Sequence, residues 1–232
     1  MYVKKQMTWK RLLALLLIYF VGYLWLIPKL SIMLTLWLDP SATMIRVDVL
    51  AFFYVLLIIL CVWISWYEWK HSFDQIKKVP IAFLFRVVIG GFFVIILNVF
   101  LSVLSSLLSG QMDSLNQEVI ADNMSVAPVF MMFSVLIFAP IVEESVFRGG
   151  IFAFCRRYLN FGCAAFISAL AFGWIHVMDA LLAGQWSDGV YLLVYGGIGL
   201  VNAWFYERQG GLLASSGVHL FNNLISYLSM LL

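Results

Sequence analysis

The sequence predicts an all-α fold, a polytopic bundle of helices that crosses a membrane, and three observations support it. Of 232 residues, 64% are hydrophobic and only 11% charged, with a mean hydropathy of +0.99; a soluble domain carries roughly 25% charged residues. The apolar residues gather into runs close to the ~20 residues that a ~30 Å hydrocarbon core requires. Lys and Arg fall on alternate loops, as cytoplasmic loops of membrane proteins demand.

Taken in order, the runs are Leu12–Leu38, Val49–Tyr67, Ile81–Leu108, Ala127–Tyr158, Phe161–Ala183, Val190–Tyr206 and Gly211–Leu232, which makes seven spans. The first follows Lys4, Lys5, Lys10 and Arg11. It is long and lacks an obvious small-residue cleavage site, so it reads as a retained span rather than a signal peptide. Pro28 could break it. The second ends among Trp63, Trp66, Tyr67 and Trp69, which with Trp204 and Tyr206 read as an interfacial aromatic belt. The third carries Asn98, read with Asn202 as packing glue between helices. The polar segment Ser109–Val126 is placed at an interface. Pro140 could split the fourth run, giving eight spans. The sixth holds Tyr195-Gly-Gly-Ile-Gly199, small residues that let helices approach. No repeat or soluble segment interrupts the chain, so 1–232 reads as one membrane domain, with three spans in 1–126 and the remainder in 127–232.

With the N-terminus cytoplasmic, Lys4, Lys5, Lys10, Arg11, Lys70, Lys77, Lys78, Arg86, Arg156, Arg157 and Arg208 all fall inside. Asp39, Asp48, Asp113, Glu118, Asp122, Asp179 and Asp188 fall on the opposite side, with only Lys29 and Arg46 for company. Cys61, Cys155 and Cys163 lie in or beside apolar runs without metal-ligand or disulfide spacing, and read as buried thiols.

Subtracting loops leaves Glu143, Glu144, Arg148, His176 and His219 as ionisable groups within spans. A charge at mid-bilayer costs about 2.5–3.5 kcal/mol on insertion scales, so such residues are functional candidates. At 1.5 Å per residue, Glu143 lies about 20 Å, His176 about 22 Å, His219 about 12 Å and Asn223 about 18 Å from the cytoplasmic ends of their helices. Three separate helices thus bring polar groups to similar depth. Glu144 and Arg148 are spaced i,i+4 and can pair, while Glu143 points roughly 100° away. Phe172 and His176 share a helix face, as do His219 and Asn223; of the neighbours Asn222 and Asn223, the spacing selects Asn223 as the one facing inward.

A carboxylate and two imidazoles converging in apolar surroundings suggest water activation, with His219 and Asn223 available to hydrogen-bond a developing oxyanion. No GxSxG, HExxH or serine–lysine pair supports the common serine and zinc templates. Glu143, His176 and His219 do make a two-histidine, one-carboxylate set, so zinc stays open. A proton or ion carrier, or an immunity protein that binds a peptide, would use similar groups; seven spans without an inverted repeat disfavour a transporter.

The stretch Glu143-Glu-Ser-Val-Phe-Arg148 resembles the EExxxR motif of the CPBP membrane proteases, which include CAAX prenyl endopeptidases and bacteriocin-processing proteins. Phe172-Gly-Trp-Ile-His176 resembles that family's FxxxH motif, and His219-Leu-Phe-Asn-Asn223 its HxxxN motif. The order is the family's, and the resemblance covers Ala127 to Leu232. It implies an intramembrane endopeptidase in which Glu143 and His176 activate water and His219 and Asn223 form the oxyanion hole. Glu144, Arg148 and Phe172 would support the site. No cofactor is expected. The implied partners are the lipid bilayer and a peptide or protein substrate, a bacteriocin or pheromone precursor being the preferred class, with no nucleic acid. The compact chain suggests a multi-pass protein of a bacterial plasma membrane.

Overall fold

The computed structural model describes residues 7–231; Lys4, Lys5 and Leu232 lie outside the described residues. Among the described residues there are helices and no strands: α1 (Trp9–Leu38), α2 (Val47–Ile64), α3 (Trp66–Ile76), α4 (Pro80–Ser109), α5 (Leu115–Val126), α6 (Pro128–Cys155), α7 (Phe161–Leu182), α8 (Trp186–Gly210) and α9 (Leu212–Ser229). Six of these, α1, α2, α4, α6, α7 and α8, are long and apolar enough to cross a membrane. Helix α9 has 18 residues. Its apolarity is diluted by Ser215, Ser216, His219 and Asn222, all buried, because this helix turns a polar face into the bundle.

Local chemistry sets the boundaries. Thr8, Ser114 and Asn160 each precede a helix and accept a hydrogen bond from the third backbone N–H onward, at Arg11, Gln117 and Cys163. Helix α4 ends at Gly110, whose φ of 73° lies in the left-handed region. The second span stops at Ile64, short of Tyr67, because Ser65 leaves helical geometry and its hydroxyl donates to the Cys61 carbonyl. Trp66 to Ile76 therefore form a separate helix, α3.

Neither proline divides its helix. Pro28 and Pro140 each follow a stretch of wider, π-type turns, at Leu17–Leu26 and Ser134–Phe138. A proline cannot donate to the carbonyl four residues back and crowds it; a widened turn relieves both problems and lets the helix continue. The split that would have made an eighth span does not occur.

Helix α6 lies at the centre, packed against α1, α2, α7 and α9. Helices α7 and α8 approach closely because both carry small residues. A Cβ on Gly199 would sit 2.9 Å from Ala169 Cα, and one on Gly173 would sit 3.1 Å from the Gly196 nitrogen. The aromatic rings of Tyr19, Phe147 and Phe172 meet edge to face in sequence, at 5.5 and 5.4 Å between centroids. Of the cysteines, only Cys61 is buried; Cys155 is half-buried, and Cys163, on the outer side of α7, is exposed. The reading of three buried thiols is thus corrected: an apolar run around a cysteine does not say whether it faces protein or lipid.

Two chemically distinct ends result. At one, Arg156 forms a two-pronged ion pair with Glu207 at 2.7 Å, Arg157 donates to the Met7 carbonyl, and Ser72 donates to the Gly210 carbonyl. These contacts gather the start of α1, α3, and the ends of α6 and α8. At the other, Leu115 N–H donates to Asp188, the Tyr191 hydroxyl to the Gln111 carbonyl, and the Tyr227 hydroxyl to the Pro128 carbonyl. The first end carries most of the arginines and lysines. The second carries most of the acidic residues outside the site, and there Arg46 pairs with Asp48 at 2.8 Å.

Candidate active site

Helix α6 runs apolar into Pro140-Ile-Val and then presents Glu143 and Glu144, both buried. Consecutive residues on a helix diverge by about 100°, and the two carboxylates have separate environments. Glu144 is fully buried, and its Oε1 is approached by three nitrogens, each at 3.0 Å: Arg148 Nη1 from its own helix, Asn202 Nδ2 from α8, and His219 Nδ1 from α9. The Arg148 contact is an ion pair by distance without hydrogen-bond alignment, since Nη1 lacks a hydrogen-bond partner. Arg148 Nη2 donates to the Gly199 carbonyl at 3.1 Å, and the guanidinium lies over the Phe172 ring, 4.4 Å from its centroid. One carboxylate oxygen thereby ties α6, α8 and α9 together.

Glu143 instead borders a cavity of about 1200 Å³, together with Phe172, His176, His219, Asn222 and Asn223. Its Oε2 lies 3.8 Å from His219 Nε2. The Tyr19 hydroxyl, from α1, lies within interaction range of the same carboxylate. Among the described residues no ion pair joins Glu143 to His176; the imidazole nearest Glu143 is His219.

The hydrogen bonds constrain the imidazoles. His176 Nδ1 lies 2.8 Å from the Phe172 carbonyl, which can only accept, so Nδ1 carries the proton and a neutral ring leaves Nε2 with its lone pair. Glu144, against Arg148, is the anion, so His219 Nδ1 donates to it. The His219 Nε2 that faces Glu143 is then a lone pair on the neutral ring and a donor only on the imidazolium. Tyr195 stacks on His176 with centroids 4.3 Å apart and planes 18° from parallel. Its hydroxyl is held by Ser114 at 2.7 Å and Asn116 at 3.2 Å, at the start of α5.

All the candidates named from sequence are therefore in one neighbourhood, and several details differ from expectation. Both Asn222 and Asn223 border the cavity, because it is wide enough to take in positions 100° apart. Asn222 accepts from Asn98 and donates to Asn223, while Asn223 Nδ2 donates to the Val135 carbonyl at 2.9 Å. Asn98 and Asn202 do bond across helices as expected, to Asn222 and Glu144, and in addition one borders the cavity and the other holds Glu144. Trp69, assigned to the aromatic belt, donates its indole N–H to Ser145 at 3.0 Å, next to the carboxylates. Tyr19 and Tyr195 had no local signal beyond an aromatic in an apolar run. Among the described residues, no three His, Cys, Asp or Glu side chains are grouped to hold a metal ion.

Comparison with known proteins agrees with the motifs. The family model described as type II CAAX prenyl endopeptidase Rce1-like matches residues 125–225. This segment contains the whole of α6, α7 and α8 and every side chain just placed around the site except Tyr19, Trp69, Asn98, Ser114 and Asn116. The match supports, over that segment, the resemblance to CPBP and CAAX-type proteases read from EExxxR, FxxxH and HxxxN. A curated relative, "Putative membrane peptidase YdiL" of Bacillus subtilis (strain 168), is 30% identical over 111 residues, 48% of this chain. The chain spans 41% of the length of that relative. No solved structure matches.

Proposed function

We propose that this multi-pass membrane protein is an intramembrane endopeptidase that hydrolyses a peptide bond of a membrane-associated peptide or protein. The observation that carries the reading is the division of labour between adjacent carboxylates. Glu144 is locked by three nitrogens, whereas Glu143 faces a cavity large enough for a peptide, beside His219 Nε2 and a His176 whose Nε2 keeps its lone pair. Glu143 takes a proton from water as the water attacks the scissile carbonyl, with His176 Nε2 as the second acceptor, and gives that proton to the departing amine as the tetrahedral intermediate collapses and the C–N bond breaks. His219, as the imidazolium between Glu143 and Glu144, donates from Nε2 to the oxyanion. Asn223 joins it by exchanging its bond to the Val135 carbonyl for one to substrate. Arg148, Asn202 and Phe172 keep Glu144 and His219 oriented. No step is routed through a metal. The substrate class proposed is a bacteriocin or pheromone precursor, and the location proposed is a bacterial plasma membrane.

The test is cleavage of a synthetic peptide library by the purified protein in proteoliposomes, read by mass spectrometry beside the Glu143→Gln variant. Wild type should cut with or without chelator, and Glu143→Gln, which keeps shape and loses the base, should lose at least 10²-fold. Retained cleavage in Glu143→Gln would remove the water-activation role. Stoichiometric zinc that disappears with Glu143, His176 or His219 would replace the mechanism by a metal-dependent one.

A further inference from the structure

The cavity that holds Glu143 is closed toward the arginine-rich end. Along α6 its lining runs from Phe130, just past Ala127 at the cap, and stops at Glu143; the next seven residues, Glu144 to Gly150, are all buried. On α7 the lining stops at Phe172 and on α9 at His219, and Ala164, Ala165, Ser168, Leu212, Ala214 and Val218 beyond them are buried. A continuous plug thus separates the site from the arginine-rich end. Toward the other end the cavity extends to Met44 and Val47, to α5, and to Met230 just past α9, where the lining residues Asp113 and Glu118 are exposed.

Charge along this route is one-sided. Asp113, Glu118 and Glu143 line the cavity and no Lys or Arg does. The separate pocket at the far end is the converse, with Arg86, Arg156 and Arg208 against Glu207 alone. From Pro128 to Glu143 the helix rises about 22 Å, a distance that an extended peptide at about 3.3 Å per residue spans with roughly seven residues.

We infer that the site is reached from the acidic end and not from the arginine-rich end, and that its substrate is an extended, positively charged peptide segment presented there. This rests on the peptide-hydrolase reading. By the distribution of Lys and Arg that end is extracytoplasmic, so the peptide arrives from outside. A carboxylate-lined mouth with low-dielectric walls concentrates cationic segments and repels acidic ones. The mouth selects by charge; the imidazoles and Glu143 beneath it act on whichever backbone arrives.

The test needs no cleavage, so it fails or succeeds separately from the protease reading. In the full-length chain with Cys61, Cys155 and Cys163 replaced by alanine, Ser134→Cys places a thiol on the cavity wall. Met112→Cys marks the acidic end and Lys77→Cys the basic end. Right-side-out and inverted vesicles are treated with impermeant methanethiosulfonates carrying either trimethylammonium or sulfonate. Ser134→Cys should react from the same face as Met112→Cys. Its cation-to-anion rate ratio, normalised to that of free 2-mercaptoethanol, should be raised about 3–10-fold and should fall toward one with Asp113→Asn plus Glu118→Gln. A ten-residue lysine–alanine peptide should slow the labelling, and its glutamate–alanine counterpart should not. Labelling from the Lys77→Cys face, a ratio at or below one, or equal protection by both peptides would overturn the inference.

Discussion

Arg148→Leu is the perturbation that tests the scaffold behind the site most directly. Arg148 is fully buried, lies 3.0 Å from Glu144, donates to the Gly199 carbonyl at 3.1 Å, and covers the Phe172 ring. Removing it leaves Glu144 buried with Asn202 and His219 as its remaining partners, while Glu144 Oε2 already has no hydrogen-bond partner. Breaking one side of a buried ion pair costs about 3–5 kcal/mol. The Gly199 carbonyl, inside α8, keeps its intrahelical donor, so losing the guanidinium bond adds little and the leucine's packing offsets it. A loss of about 4 kcal/mol is therefore expected. Glu144→Gln combined with Arg148→Leu leaves no unpaired charge and should recover roughly half of that. The assay is equilibrium unfolding in mixed detergent micelles, run as a double-mutant cycle with both single variants. A loss below about 1 kcal/mol for Arg148→Leu, or strict additivity in the cycle, would refute the argument that this pair is a buried, mutually dependent unit.

Other outcomes are equally specific. Burial pushes the Glu68 carboxyl, on α3 outside the spans, up to about 7, and both of its oxygens lack hydrogen-bond partners. An acid raised in the folded state contributes its full share below the unfolded pKa and loses it as pH rises through the folded one. Glu68→Gln should therefore gain on wild type between about pH 4.5 and 7, by about 3 kcal/mol at the plateau; thermal unfolding of both across that window checks this, and a flat difference would contradict it. Gly199→Ala should part α7 from α8, because the new Cβ meets backbone of Ala169, and lower stability by about 1–3 kcal/mol, measured by the same unfolding assay. Tyr195→Phe keeps the ring on His176 and should retain cleavage within about threefold, while Tyr195→Leu should lose on the order of 10²-fold by misplacing the imidazole. Parallel losses in both would assign the effect to the hydroxyl and α5 instead.

How much of this was legible in the chain follows from which forces act locally. Helix type, span positions and the segregation of charge to two ends follow from apolar runs and the cost of charge in lipid, quantities that each segment carries by itself. So does the pairing of Glu144 with Arg148, because i,i+4 spacing on one helix settles which side chains can touch. Glu143, His176 and His219 stand out because ionisable groups are costly in lipid, and the resemblance to the family's three motifs implies them, with Asn223, as the site. Partners from different helices are another matter. That Glu144 is shared by Asn202 and His219, that His219 rather than His176 stands nearest Glu143, and that Tyr19 and Tyr195 border the site depend on how α1, α8 and α9 rotate about their axes. Helix rotation in an apolar medium is set by packing of small residues such as Gly199 and Gly173 and by buried hydrogen bonds, with little hydrophobic pattern to announce it. The same rotation decided that Cys163 faces outward and that Asn222 borders the cavity beside Asn223. It also closed the cavity at Glu143, Phe172 and His219, since burial from Glu144 to Gly150 is a property of the neighbours that cover those residues and not of the residues themselves.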